Sequence, residues 1–406
     1  MPFLNDHMTI VNKIAIMINH TTIKKIHSLK LLSIFLFQYF YDAIETYLNS
    51  LIYSLFYKLN ESDRQMDEID TNEIEMFEHV DAFITSAGGD PTTYKGKLIA
   101  QIIQTALKLM SEDHDLGQLK VISRSIKEMR YAYKIFDRYK EAPCVSIFGS
   151  ARTPEDHPDY IAAKKFSGLM ASQKWMCITG AANGIMKAGL EGPEKAQSFG
   201  LSIILPFESA SNTVIEGDPK LIHFRFFFTR KLMFMSHSDA LAAFPGGFGT
   251  LDELFEMLTL MQTGKANIVP VVLLEGNNGT YWEHWSHYIN ENLVDNRWVS
   301  LEDSSFYYLA SSPEDAVQHI LKFYSRYHSS RYVKDTLVIR MLSPLTEEQV
   351  VKLNEKFSVL VASGNMSLSG PLIGETDHLE LPRLIFNHTR NSFAKLRQLI
   401  DAINDF

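Results

Sequence analysis

Cysteine is nearly absent. The 406 residues hold two, Cys144 and Cys177, so neither a disulfide framework nor a CxxC metal pattern can be built. Both sit in apolar surroundings beside expected strands, where a buried thiol serves as a small hydrophobe. This usage fits a reducing, cytoplasmic setting. Excess positive charge is also missing: the formal net charge is −9, which argues against nucleic acid as the main partner. It leaves room for a small anion held by local donors. The histidines are scattered with no HExxH or comparable spacing, so no metal is expected.

A long uncharged hydrophobic run is lacking too. Residues 31–57 are apolar and aromatic, but Asp42 and Glu45 divide them into runs of about 11 to 12 residues, short of the ~20 needed to span a bilayer. Three readings stay open: helices packed on the body or on a second subunit, a membrane-surface helix, or a natural start near Met66. A spanning helix is not expected.

The chain divides into an apolar helical extension (1–65), a helical region (66–142), an α/β domain (143–328) and a small C-terminal α/β unit (329–406). Two amphipathic helices are expected before the α/β domain. One presents Leu98, Ile99, Ile102, Ile103, Ala106 and Met110. The other presents Leu119, Ile122, Ile126, Met129, Tyr133 and Phe136. From residue 143, short apolar runs alternate with helical stretches. The runs are Val145–Phe148, Trp175–Thr179, Leu201–Leu205, Ala240–Phe244 and Val269–Leu274. The helices lie near 160–173, 184–198, 229–237, 251–263 and 312–325. Continuous apolar runs mark strands covered on both faces, so the pattern predicts a Rossmann-like, doubly wound parallel sheet. In the last unit a strand is expected at Leu337–Met341, and helices at Glu347–Phe357 and Phe393–Ile403.

Ligands of such a sheet bind beyond the carboxyl ends of the strands, and three of those ends carry small residues. They are Gly149-Ser150, Gly180 to Gly184 with Asn183, and Pro245-Gly246-Gly247-Phe248-Gly249-Thr250 leading into a helix. Glycines let the backbone approach a ligand, and a helix start favours phosphate. The pattern is neither a Walker A loop nor GxGxxG. Nearby, Arg230 and Lys231 follow three phenylalanines and a threonine. They read either as an anion site or as ordinary solvated cations. Glu253 is equally two-sided: with Thr250 as N-cap it would stand at N3 of a capping box, or it could carry chemistry.

The string Pro245-Gly-Gly-Phe-Gly-Thr-Leu-Asp-Glu253 resembles the PGGxGTxxE signature of the Lonely guy family of nucleoside-monophosphate phosphoribohydrolases. Thr229-Arg230-Lys231-Leu-Met233 is similar to the family's Arg-Lys motif, 23 residues (253 − 230) ahead of Glu253. The resemblance spans about residues 115–330. Leu205 to Glu208 and Asn212 look like a longer bacterial branch. The second turn, Gly-Ala-Ala-Asn-Gly, departs from the family's glycine-rich run.

The resemblance implies hydrolysis of a nucleoside 5′-monophosphate to free base and ribose 5-phosphate by a homodimer without a cofactor. It implies Arg230 and Glu253 as the catalytic pair. Gly149, Ser150, Gly180, Asn183, Lys231, Gly246, Gly247, Gly249 and Thr250 would bind substrate. A lysine decarboxylase reading finds no support, because Lys231 and Lys265 lack a pyridoxal-phosphate context. The alternative from another class is a protein of the same fold that holds a nucleotide or cofactor without cleaving it.

Overall fold

The computed structural model describes residues 72–406, apart from 194 and 206–211. The apolar extension and Pro206 to Glu208 lie outside the described residues. Two compact units divide between Asp113 and His114. The first contains α1 (Asn72–Ser86) and α2 (Tyr94–Lys108). Thr93 opens α2 by accepting the Gly96 amide. Val80, Ile84 and Ala100 form a small core, while Leu98, Ile99, Ile102 and Met110 of the expected apolar face are exposed.

The second unit begins with α3 (Leu116–Phe136), started by a full capping box between Asp115 and Gln118. Its C-terminal end is buried through Ala132, Ile135 and Phe136, whereas Ile122, Ile126 and Tyr133 of the expected stripe stay exposed. A seven-stranded parallel sheet follows, in the order β4-β3-β2-β1-β5-β6-β7. Its strands are β1 (Cys144–Phe148), β2 (Met176–Thr179), β3 (Ser198–Ile203), β4 (Leu221–Phe224), β5 (Ala240–Ala243), β6 (Val271–Leu273) and β7 (Tyr307–Leu309). Every residue of β1, β2, β5 and β6 is buried, as strands covered on both faces require. The covering helices are α4 (Pro158–Ser172), α5 (Ile185–Glu191), α6 (Phe227–Ser236), α7 (Phe248–Gln262), α8 (Tyr281–Ile289) and α9 (Pro313–Phe323). The fold is thus the α/β, Rossmann-like architecture that the alternating pattern predicts.

Local differences have local causes. The helix expected over 184–198 stops at Glu191 because Gly192-Pro193 cannot continue it. Edge strands β4 and β7 are only partly buried, with His223 and Leu309 exposed, so they do not stand out as continuous apolar runs. Strand order reverses at β1, which pairs with β2 on one side and β5 on the other. The crevice between the carboxyl ends of β1 and β5 is therefore where a ligand is expected.

The C-terminal portion is a four-stranded antiparallel sheet, β10-β11-β9-β8. It comprises β8 (Tyr327–Val333), β9 (Thr336–Met341), β10 (Val361–Ser369) and β11 (Arg383–His388), with α10 (Glu347–Phe357) and α11 (Phe393–Asn404). Leu396, Leu399, Ile400 and Ile403 face inward as their spacing predicts. Their core is continuous with that under β5 and β6.

Candidate functional site

The three small-residue turns converge. Ser150 donates its amide to Pro245 O at 3.0 Å, and Ile185 donates to Ser150 O at 3.0 Å, so the turns after β1, β2 and β5 are stitched into one floor. Glycine is needed there on contact grounds. A Cβ at Gly246 would collide with Thr250 Oγ1 and press on the Ser150 amide, and one at Gly149 would enter Ile185. Gly184 has φ +61°, and a Cβ there would strike Ser150 O. Gly247 and Gly249 face open space. Tyr281, which sequence reasoning did not single out, donates its hydroxyl to Gly246 O at 2.7 Å and pins the turn from above.

Helix α7 starts earlier than expected, and this removes the capping-box reading. Its N-cap is Gly247, with no side-chain cap bond. Thr250 therefore stands in the first turn, and Glu253 in the second. The helix opens with uncapped amides beside Gly246–Gly249, the geometry that suits an anion.

Glu253 is 6% exposed, and its Oε2 has no hydrogen-bond partner. Burial pushes its carboxyl up to about 7, against the opposing pull of Lys231 and Arg230. An orphaned buried acceptor is a costly feature that calls for a reason. Lys231 Nζ lies 2.7 Å from Asp252, 3.7 Å from Glu256 and 3.9 Å from Glu253. Three carboxylates of α7 thus engage this ammonium.

Arg230 reaches across the sheet end. Its Nε donates to Leu201 O at 2.8 Å, and its guanidinium lies 5.3 Å from the Phe234 ring centre. A Cβ at Gly180 would collide with Nη2, so that glycine makes room for the guanidinium. Burial pulls the Arg230 pKa below its ordinary value, with Glu253 opposing.

The second turn is strained. Ala181 is fully buried at φ +59°, a left-handed conformation that costs roughly 1–2 kcal/mol outside glycine. Asn212 holds it, donating its amide to Ala181 O and its Nδ2 to Ala182 O, both at 2.9 Å. Asn212 Oδ1 is buried without a partner. Asn183 is exposed.

A hollow of about 290 Å³ opens beside the floor, lined by Ser150, Arg152, His157, Asp159, Pro245 and Gly246 among others. Neither Arg230 nor Glu253 lines it. Arg230 lies by Gly180 and Leu201, and Glu253 by Lys231, on the α6 side of the glycine turn. Among the described residues no helix is long and apolar enough to cross a membrane, and no group of three or more His, Cys, Asp or Glu residues could hold a metal.

Residues 178–320 match the profile of a family described as "Possible lysine decarboxylase". No curated protein matches the chain. Among solved structures, a molybdenum cofactor carrier protein from Chlamydomonas reinhardtii is 19% identical, covering 45% of this chain and 97% of its own, with a TM-score of 0.33. A molybdenum cofactor binding protein from Rippkaea orientalis is 19% identical, with 44% and 96% covered and a TM-score of 0.32. DNA processing protein A from Helicobacter pylori is 14% identical, with 44% and 80% covered and a TM-score of 0.31. The profile match contains Arg230, Lys231 and the whole glycine signature through Glu253, so the matched stretch is the one whose motifs resemble those of the Lonely guy family.

Proposed function

We propose that the chain hydrolyses the N-glycosidic bond of a nucleoside 5′-monophosphate. The observation carrying this reading is Glu253: a buried carboxylate with an orphaned oxygen, coupled to Arg230, in the second turn of a helix whose glycine start is uncapped. The 5′-phosphate would lie against the amides of Gly246, Gly247 and Gly249 and the start of α7. Ser150 and the Gly180–Gly184 turn would border the rest of the nucleotide.

Cleavage builds positive charge on the ribose as the bond from C1′ to the base nitrogen lengthens. The Glu253 carboxylate stabilises that charge and orients a water. The water's oxygen bonds to C1′, the C1′–N pair leaves with the base, and the water's proton ends on the base nitrogen. A carboxyl that titrates near neutrality is suited to accept and return that proton. Arg230, fixed by Leu201 O, holds the nucleotide and balances charge.

The test is incubation with a panel of nucleoside mono-, di- and triphosphates, followed by chromatography for free base and ribose 5-phosphate. Base release from a monophosphate is expected, with kcat/KM falling ~10²-fold or more in Arg230→Ala. Bound but intact nucleotide after long incubation would overturn the hydrolase reading in favour of a protein that only holds its ligand.

A further inference from the structure

Helix α6, which carries Arg230 and Lys231, has only ten residues, and its N-cap, Phe226, makes no side-chain cap bond. A helix this short does not hold its own position. Its support comes from α3, about a hundred residues upstream and ahead of the region matching the family profile. Glu128 Oε1 accepts the Arg225 amide at 2.9 Å, and Oε2 accepts the Thr229 hydroxyl at 2.6 Å. One carboxylate thus bridges the residue before the N-cap and the residue next to Arg230. Thr229 is 1% exposed, so its hydroxyl relies on this partner and on Phe226 O at 3.1 Å.

The same upstream helix also holds the other end of α6. His237, the C-cap, stacks on Phe136 at 3.9 Å between ring centres and lies 5.5 Å from Tyr133. Phe136 in turn stacks on Phe199 of β3 at 4.5 Å. A negative group at the start of a helix is also favoured by the helix dipole. Two fastenings, eight residues apart on α3, fix both the axial position and the rotation of α6.

We propose that Glu128 is a positioning residue that sets the register of α6 and thereby the placement of the Arg230 guanidinium against Leu201 O and Gly180. Its catalytic consequence rests on the hydrolase reading above; its effect on α6 does not. The experiment compares full-length Glu128→Ala, Glu128→Gln and Thr346→Ala with wild type, by steady-state kinetics and by hydrogen exchange over residues 225–231. Thr346 caps α10 in the C-terminal portion, so its loss is a control for stability alone.

Glu128→Ala is expected to speed exchange in 225–231 and to lower kcat by about 10- to 100-fold, the scale of a misplaced catalytic group, with KM changing less. Glu128→Gln keeps an oxygen for the Arg225 amide and an NH2 group for Thr229 Oγ1. It should recover most of kcat and of the protection. Thr346→Ala should leave both readouts unchanged. Unaltered exchange at 225–231 in Glu128→Ala would overturn the proposal. So would a kcat within twofold of wild type in an enzyme that Glu253→Gln inactivates. If Glu253→Gln is itself fully active, the catalytic role of Glu253 fails; if wild type releases no base, the hydrolase reading fails; in either case the exchange data still decide the role of Glu128.

Discussion

Replacing Glu253 by Gln should make the protein more stable and less active at once, and the gain should depend on pH. Burial moves this carboxyl from 4.5 to about 7. Below pH 4.5 both folded and unfolded chains hold the proton, and the native state carries no penalty. Between 4.5 and 7 the unfolded chain ionises while the folded chain resists, so stability falls as pH rises. Above about 7 the folded state bears a buried charge at a cost of about 3 kcal/mol, from roughly 2.5 pKa units at about 1.4 kcal/mol each. Gln has the same shape without that charge, but its amide needs partners where Oε2 has none. A net gain of about 2 kcal/mol at pH 8 remains, with none at pH 5.

Urea unfolding followed through the buried Trp282 and Trp285 at the two pH values measures the difference. Equal stability gaps at pH 5 and pH 8 would refute the reasoning, because they would place the effect in packing rather than in the charge. The same ionisation governs activity: kcat/KM for base release should rise with pH and level off above about 7, and in Glu253→Gln it should be ~10²-fold lower or worse. A near-normal rate together with the stability gain would mean that the buried carboxylate is a liability without a catalytic use.

Two further outcomes test the surrounding structure. Gly246→Ala should cost at least tenfold in nucleotide affinity and about 1–3 kcal/mol in stability, since its Cβ meets Thr250 and the Ser150 amide; Gly247→Ala, facing open space, should fold normally, and titration calorimetry with unfolding curves separates the two. Between β10 and β11, Glu375 is enclosed with Arg383 and Arg340 at 2.9 and 2.7 Å, and Glu375→Ala should destabilise by about 3–5 kcal/mol, because it strips the buried Arg383 of its carboxylate and leaves Arg340 only Asp377; a loss under 1 kcal/mol in urea would contradict this.

What could be read ahead of the structure was what local chemistry dictates. Glycines at three strand ends announced close backbone approach, and the apolar runs of β1, β2 and β5 announced strands buried on both faces. The terminal helix was legible down to its inward residues, Leu396 to Ile403. What stayed hidden depends on partners distant in sequence. Leu201 O holds Arg230 from 29 residues away, Tyr281 pins Gly246 from 35, and Glu128 reaches Thr229 from 101. Gly180 looked like a phosphate-turn glycine, but its missing side chain also gives space to Arg230. No periodicity or spacing encodes that.

The string Thr250-Leu-Asp-Glu253 shows how one local rule yields to another. By itself it satisfies the side-chain requirements of a capping box, which would turn the carboxylate back onto the helix start. The box requires Thr250 to have extended backbone, but the chain finishes its extended stretch at Gly247, with φ −89° and ψ −156°, and the helix is already under way at Phe248. Gly246 tolerates the close packing on Ser150 that lets this happen, and Gly247 offers no side chain to satisfy the first amides. Starting three residues early has two effects: the amides are left for an external anion, and Glu253 rotates into the second turn against Lys231. The glycines that bring the backbone to a ligand are thus also what prevents Glu253 from being spent as a cap.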